Sequence, residues 1–313
     1  MQSLIEKHRP TLDRALVAIT ERSYWSAFSE SPSPKVYGEG SAEAGKAAFE
    51  ALLGKPYVLE QSDAAGMVGQ ERSPYGFDLG IQYPKQDLKL MFEAVKGAHE
   101  AWRKAGPDIW AAVSIEILTR LNAQSFLMAN AVMHTTGQAF MMAFQAAGPH
   151  AQDRGLEAVA YACAEMQRVP AKAYWEKPQG KNDPLRMEKT YRVVPRGIAL
   201  VIGCCTFPTW NGYPGLFASL ATGNAVVLKP HPGAILPLAI TARVAREVLV
   251  EAGFAADIVT LVAHDAGDVI PEVLALHPDV KLIDFTGSPA HGRWLEHHVH
   301  QAVVFTEKAG VNQ

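Results

Sequence analysis

Residues 302–307, AVVFTE, are β-formers that end on a carboxylate, Glu307. A strand that delivers a carboxylate from its carboxyl end can present a catalytic group to a bound substrate. Four comparable runs precede it: IALVIGCC (198–205), NAVVLKP (224–230), DIVTLVA (257–263) and VKLIDFTG (280–287). Their ends carry chemistry of their own. The first ends on Cys204 and Cys205, with Thr206 next, and the second on Lys229, with His231 and Pro232 behind it. The third opens into 263–265 and then Gly267, and the fourth closes on Gly287 and Ser288 before a helical segment. A thiolate at such a position is a possible nucleophile, although a tandem pair at a strand end is more simply a small buried residue and its neighbour. Free N–H groups at a helix start can stabilise an anion.

These groups need elements to bring them together. Five apolar runs separated by four amphipathic segments of helical length predict an open parallel sheet with helices on both faces. In such sheets ligands bind at the carboxyl ends of the strands, where the groups above lie. Upstream, 1–27 has helical spacing interrupted by Pro10, and 29–46 is a Ser/Pro/Gly-rich loop leading into a short helix. Residues 87–168 are helical throughout, and 171–197 suggest two extended strands around the loop PQGKNDP. The expected organisation is an amino-terminal extension (1–75), a helical part (76–170), a two-strand arm (171–194) and the sheet (195–313).

Composition narrows the function classes. A chain of 313 residues suggests about two domains, and 48% hydrophobic with 19% charged residues supplies ample core. A net charge of −3 gives no reason to expect nucleic acid or an anionic membrane as partner. Three cysteines, two of them adjacent, make no disulfide framework, and the charged amino terminus has no signal-length apolar core. A cytoplasmic protein is expected. GSAEAGKA (40–47) nearly spells a phosphate loop, but Ala47 stands where a hydroxyl would meet magnesium, so a plain helix start is expected. His291, His297, His298 and His300 lack zinc-site spacing, and a surface helix with histidines near its end is expected, with no metal. No G-x-G-x-x-G follows any run, so a dinucleotide would be held without that glycine turn.

PRGIALVIGCCTFPTWNGYPGLFASLATGNAVVLKP, followed at matching order by FTGS (285–288) and a glutamate after the last run, resembles the cofactor domain of the aldehyde dehydrogenase superfamily. Residues 87–170 are similar to that family's amino-terminal helices. MHTTGQAFMMAFQAAGPHAQDRGLEAVAYA, WEKPQGK and TEKAGVN are most similar to its phenylacetic acid degradation (PaaN) branch. The resemblance implies a Rossmann-like α/β fold, NADP or NAD as cofactor, a small-molecule aldehyde as substrate, a coenzyme A-linked semialdehyde among the candidates, and a homo-oligomer in the complete protein. It makes Glu307 the base that activates water, Lys229 a contact to the adenosine ribose, and Gly287 and Ser288 the turn facing the pyrophosphate. Cys204, Cys205, His231 and Gly267 fall beside these as cofactor contacts. Pro232 stands where NAD-preferring members carry a glutamate, which removes repulsion of a 2′-phosphate. Thr206 replaces the asparagine whose amide serves the oxyanion, and Lys308 could pair with Glu307, although strand neighbours point to opposite faces.

In this family a cysteine beyond the general base attacks the aldehyde. The expectation is that this chain lacks the nucleophile domain, supplies cofactor site and base only, and is inactive alone. Cys163 is expected in the core. Two other readings stand beside this one: a non-catalytic nucleotide-binding fragment or remnant, and a ring-opening hydrolase using water activated by Glu307 without nicotinamide.

Overall fold

The computed structural model describes residues 1–61 and 64–309. Helix α1 (Gln2–Glu21) opens the chain, followed by α2 (Pro34–Tyr37) and α3 (Ser41–Glu50). Contrary to the expected interruption, α1 runs straight through Pro10. Leu12 and Ala15, buried just beyond it, anchor the second half and offset the lost backbone hydrogen bond. Helix α3 begins inside GSAEAGKA, and a Cβ on Gly45 would stand 2.3 Å from Cβ of Phe126. That stretch is a packed helix, as its missing hydroxyl suggested.

Strands β1 (Ala64–Val68) and β4 (Tyr83–Gln86) pair antiparallel around a small hairpin of β2 (Arg72–Ser73) and β3 (Phe77–Asp78). Five helices follow: α4 (Leu88–Ala105), α5 (Pro107–Ala123), α6 (Ser125–Thr136), α7 (Phe140–Ala147) and α8 (Pro149–Gln167). Asp87 caps α4 by accepting from the Lys89 and Leu90 N–H groups, while Arg103 and Lys104 sit in its last turn, where the helix dipole favours cations. An antiparallel ribbon of β5 (Lys172–Gln179) and β6 (Asn182–Thr190) comes next. The expected loop PQGKNDP shrinks to a turn at residues 180 and 181, because a ribbon whose outer edges meet no other strand among the described residues tolerates Pro178 and Pro184 within its strands.

The remaining elements alternate: β7 (Ile198–Ile202), α9 (Pro208–Ala221), β8 (Ala225–Lys229), α10 (Leu236–Glu251), β9 (Val259–Leu261), α11 (Ile270–Ala275), β10 (Val280–Gly287), α12 (Pro289–His298) and β11 (Val303–Lys308). The strands form one parallel sheet in the order β11-β10-β7-β8-β9. Its faces feed two cores. Ala199, Val201, Val226 and Leu228 pack toward α9 and α10, while Ile198, Leu200, Ile202, Ala225 and Val227 meet Met91, Phe92, Leu274 and Leu295. Burial on both sides is why β7 and β8 are apolar at nearly every position.

The ATGN turn has a mechanical reason. Gly223 holds φ at +78°, and a Cβ there would lie 2.4 Å from the buried Trp110 ring. Asn224 accepts from the Gly197 N–H at 3.0 Å and so ties the openings of β7 and β8 together. Among the described residues β11 has a neighbour on one side only, and Phe305 is 56% exposed. No helix among the described residues is long and apolar enough to cross a membrane.

Candidate active site

A cleft of about 780 Å³ lies across the carboxyl ends of the strands, between the loops that leave β7, β8, β9 and β10. Glu307, near the end of β11, borders it. One of its carboxylate oxygens accepts from the Asn211 side-chain amide at 3.1 Å and from the Thr286 hydroxyl at 3.4 Å. Lys308 does not pair with it. Strand alternation turns Lys308 to the other face, where its ammonium meets both carboxylate oxygens of Glu296 at 2.7 and 2.9 Å.

Thr206 is exposed in the loop after β7. Its carbonyl accepts from the Gln138 amide at 2.6 Å, and its hydroxyl donates to Cys204 Sγ at 3.8 Å. The side-chain amide beside the base belongs instead to Asn211, in the first turn of α9, whose Oδ1 accepts from Cys204 Sγ at 3.7 Å. Asn211 escaped the sequence reading, because only the packing of α9 on the sheet carries it to β11. Its one signal was a polar side chain in the first turn of an apolar helix.

Asp284 was missed as well. Its β10 position places it on the Glu307 side of the sheet, against α9, where a Cβ on Gly215 would come within 2.5 Å of its carboxyl carbon. Burial, then the neighbouring Glu307 charge, raises its pKa to about 6 from 3.8. Because the folded value is the higher one, the protonated carboxyl favours folding. That contribution is complete below pH 3.8 and lost as pH rises through 6. Asp284→Asn is therefore expected to stabilise the fold at pH 8 by about 3 kcal/mol and to change little at pH 4. Urea denaturation at the two pH values measures this, and equal effects at both would refute it.

The other end of the cleft holds a lysine and two histidines, with Asp268 and Glu272 beside them. Lys229 is 5% exposed at the end of β8, and burial lowers its pKa to about 8. No carboxylate among the described residues forms an ion pair with it. His231 Nδ1 accepts from the Gly233 N–H at 3.0 Å, and Pro232 lies on the cleft wall. His264 follows β9, within a strand end that sequence marked as a ligand position without singling out this residue. Gly267, at φ +91°, turns the same loop. Gly287 lines the cleft, and Ser288 caps α12 by accepting from the His291 N–H at 3.3 Å.

This wall is held from outside the sheet. The Glu71 carboxylate, 2% exposed, accepts from the Ile235 and Leu236 N–H groups at 2.6 and 3.0 Å and from the Tyr83 hydroxyl. It anchors the loop carrying His231 and Pro232 to the amino-terminal strands, and burial raises its own pKa.

Both thiols of the tandem pair line the cleft, and burial pushes that of Cys205 up. Cys163 is buried in α8, as expected, with its thiol pushed up to about 11. His297 and His298 donate to the Arg293 and Trp294 carbonyls of their own helix. Among the described residues no three His, Cys, Asp or Glu side chains group as metal ligands would.

Comparison with known proteins agrees with this geometry. The aldehyde dehydrogenase family model matches residues 81–312. A crystal structure of an NAD-dependent aldehyde dehydrogenase from Burkholderia multivorans is 62% identical with a TM-score of 0.96, over 98% of this chain and 55% of that one. The vanillin dehydrogenase of Corynebacterium glutamicum is 35% identical over 117 residues, 36% of this chain and 22% of its own. A Thermus 1-pyrroline-5-carboxylate dehydrogenase with bound NAD shares the fold at 17% identity and a TM-score of 0.71, over 92% of this chain and 55% of that one. The chain thus spans about half the length of the solved relatives. A parallel sheet, a cleft at its carboxyl ends and a family match over most of the sequence lead to one conclusion: the chain belongs to the aldehyde dehydrogenase family.

Proposed function

We propose that this chain supplies the cofactor site and the water-activating base of an enzyme that oxidises an aldehyde to the acid through a cysteine thioester. The observation that carries this is the Glu307 carboxylate, fixed by Asn211 and Thr286 at one end of a cleft whose other end holds Lys229, His231 and His264. The residues present suit a nicotinamide dinucleotide. Among the described residues His264 Nε2 is buried without a partner and Lys229 has no ion pair, and Gly287 and Ser288 lead into a helix whose first N–H groups can meet a pyrophosphate. Bound there, the nicotinamide supplies the two-electron acceptor. Glu307 takes a proton from water, and that water attacks the thioester carbonyl, releasing the acid and the thiol. Asn211 orients the carboxylate and is also the amide nearest the role that Thr206 fills poorly. In this reading the attacking thiolate comes from residues other than these 313. Burial makes Cys163 and Cys205 poor nucleophiles.

The substrate we assign, on sequence resemblance, is an aldehyde of phenylacetate catabolism, a coenzyme A-linked semialdehyde included. The exposed β5–β6 ribbon is the arm we assign to oligomerisation. The test is aldehyde-dependent formation of reduced nicotinamide by the 313-residue chain and by a hybrid completed with the remainder of the Burkholderia multivorans relative. The hybrid is expected to turn over and the chain alone is not. One observation favours a second reading, in which Cys204 is the nucleophile: its Sγ shares Asn211 with Glu307. Turnover by the chain alone that disappears in Cys204→Ala would establish that reading. Turnover that survives replacement of both Cys204 and Cys205 would defeat thiol chemistry in either form.

A further inference from the structure

We propose that Asp284 is a positioning residue of the hydrolytic step, a second carboxyl whose charge beside Glu307 makes it easier for that base to take a proton from water. The inference rests on the proposed role of Glu307 and adds what sets the pH range over which the base works.

Two features that cost the fold meet at one spot next to the base. Gly215 stands inside α9, where glycine is unfavourable relative to alanine. A Cβ there would lie 2.5 Å from the Asp284 carboxyl carbon and 2.8 Å from its Oδ2, so the missing side chain is what makes room for the carboxyl. Asp284 in turn has no hydrogen bond or ion pair among the described residues. A half-buried carboxylate without a partner is unfavourable for folding, and groups held in such a state gather at functional sites.

The sheet places this spot beside Glu307. In the parallel register Thr286 faces Glu307 and Asp284 faces Phe305. Residues two apart on a strand share a face, so Asp284, Thr286 and Glu307 lie on one side of the sheet. Helix α9 covers that side. Asn211 donates to Glu307, and Gly215, four residues on and on the same helix face, closes over Asp284. One strand across and two residues along put the two Cα atoms about 8 Å apart. Two carboxylates at that range, under one helix, repel each other.

The other titratable groups on the surrounding elements are engaged elsewhere. Tyr213 of α9 shares its hydroxyl with Thr241 at 2.9 Å, and β7 (Ile198–Ile202) carries none. Cys204, beyond β7, donates to Asn211. Lys281 of β10 reaches the Pro278 carbonyl, and Lys308 of β11 pairs with Glu296 on the opposite face. With no cation between them, the two carboxyls take up a first proton more readily than either would alone. Glu307 is accordingly a cause, after burial, of the raised Asp284 pKa. In hydrolysis the water proton goes to Glu307, the water oxygen bonds to the thioester carbonyl carbon, and the C–S bond breaks to release the thiol. Proton uptake by Glu307 relieves its repulsion by an ionised Asp284. Asp284 therefore assists above about pH 6, where it carries its charge.

Two measurements test this. The first is a carboxyl carbon NMR titration of the 313-residue chain. Asp284 is expected to titrate near pH 6, and Glu307→Gln is expected to lower that midpoint by about one pH unit. An unmoved midpoint would show that the two groups do not sense each other and would overturn the inference, whatever the enzyme does. The second is the pH–rate profile of aldehyde oxidation by the completed hybrid. Asp284→Asn removes the charge at nearly constant shape and favours the fold at pH 8, so unfolding does not confuse the result. It is expected to move the acid limb of the steady-state profile to lower pH by about one unit and to lower the plateau by about three- to tenfold, with the burst of reduced nicotinamide unchanged. A merely structural Asp284 would leave the acid limb in place, and that outcome would overturn the inference while Glu307 remained the base. Full steady-state activity in Glu307→Gln would overturn the inference and the reading of the base together.

Discussion

Replacing Glu307 with glutamine in the completed hybrid is expected to lower steady-state aldehyde oxidation by about 10²–10⁴-fold, the usual worth of a positioned general base. Glutamine keeps the length of the side chain and an oxygen that can still accept from Asn211 and Thr286, but it cannot take a proton from water. The expected signature is therefore more specific than a loss of rate. In the proposed reaction oxidation to the thioester precedes hydrolysis, so the variant should release one equivalent of reduced nicotinamide in a burst and then stall. Rapid-quench or stopped-flow measurement separates the two phases. A slow step that loses the burst as well would place Glu307 in an earlier event, and an unchanged steady state would remove it from the mechanism.

The second large effect concerns stability. Glu71→Ala is expected to destabilise the fold by about 3–5 kcal/mol, measured by urea denaturation. The Glu71 carboxylate is the shared acceptor for two N–H groups at the start of α10 and for the Tyr83 hydroxyl, all in a buried place. Truncation leaves those donors without an acceptor and opens a void between them. Glu71→Gln keeps one oxygen and is expected to cost about 1 kcal/mol. If the alanine variant lost less than the glutamine variant, the carboxylate would be a burden on the fold rather than its tie.

Sequence carried the sheet and much of the cleft. Five apolar runs fell where five parallel strands stand, and in β7 and β8 burial on both faces leaves no room for polar alternation. What stayed hidden depends on register between distant segments. Asn211 and Glu307 are 96 residues apart, and Glu71 and Ile235 are 164 apart, so no local spacing joins either pair. Asp284 owes its surroundings to Gly215 of α9, a contact that no local spacing announces. His264 lay inside a marked strand end, but only burial shows that its second nitrogen lacks a partner among the described residues. Pro10 misled in the opposite direction, since tertiary packing overrode a local rule.

The edge position of β11 also bears on how the protein behaves in solution. That strand offers a row of N–H and C=O groups beside the exposed Val303 and Phe305, which suits it to templating another strand from a second molecule. Glu307 sits on the same strand and faces the same way as Phe305. Clumping at this edge would bury the base under a foreign chain. Self-association and loss of access to the base would then be a single event, visible as light scattering that rises with protein concentration and reverses on dilution.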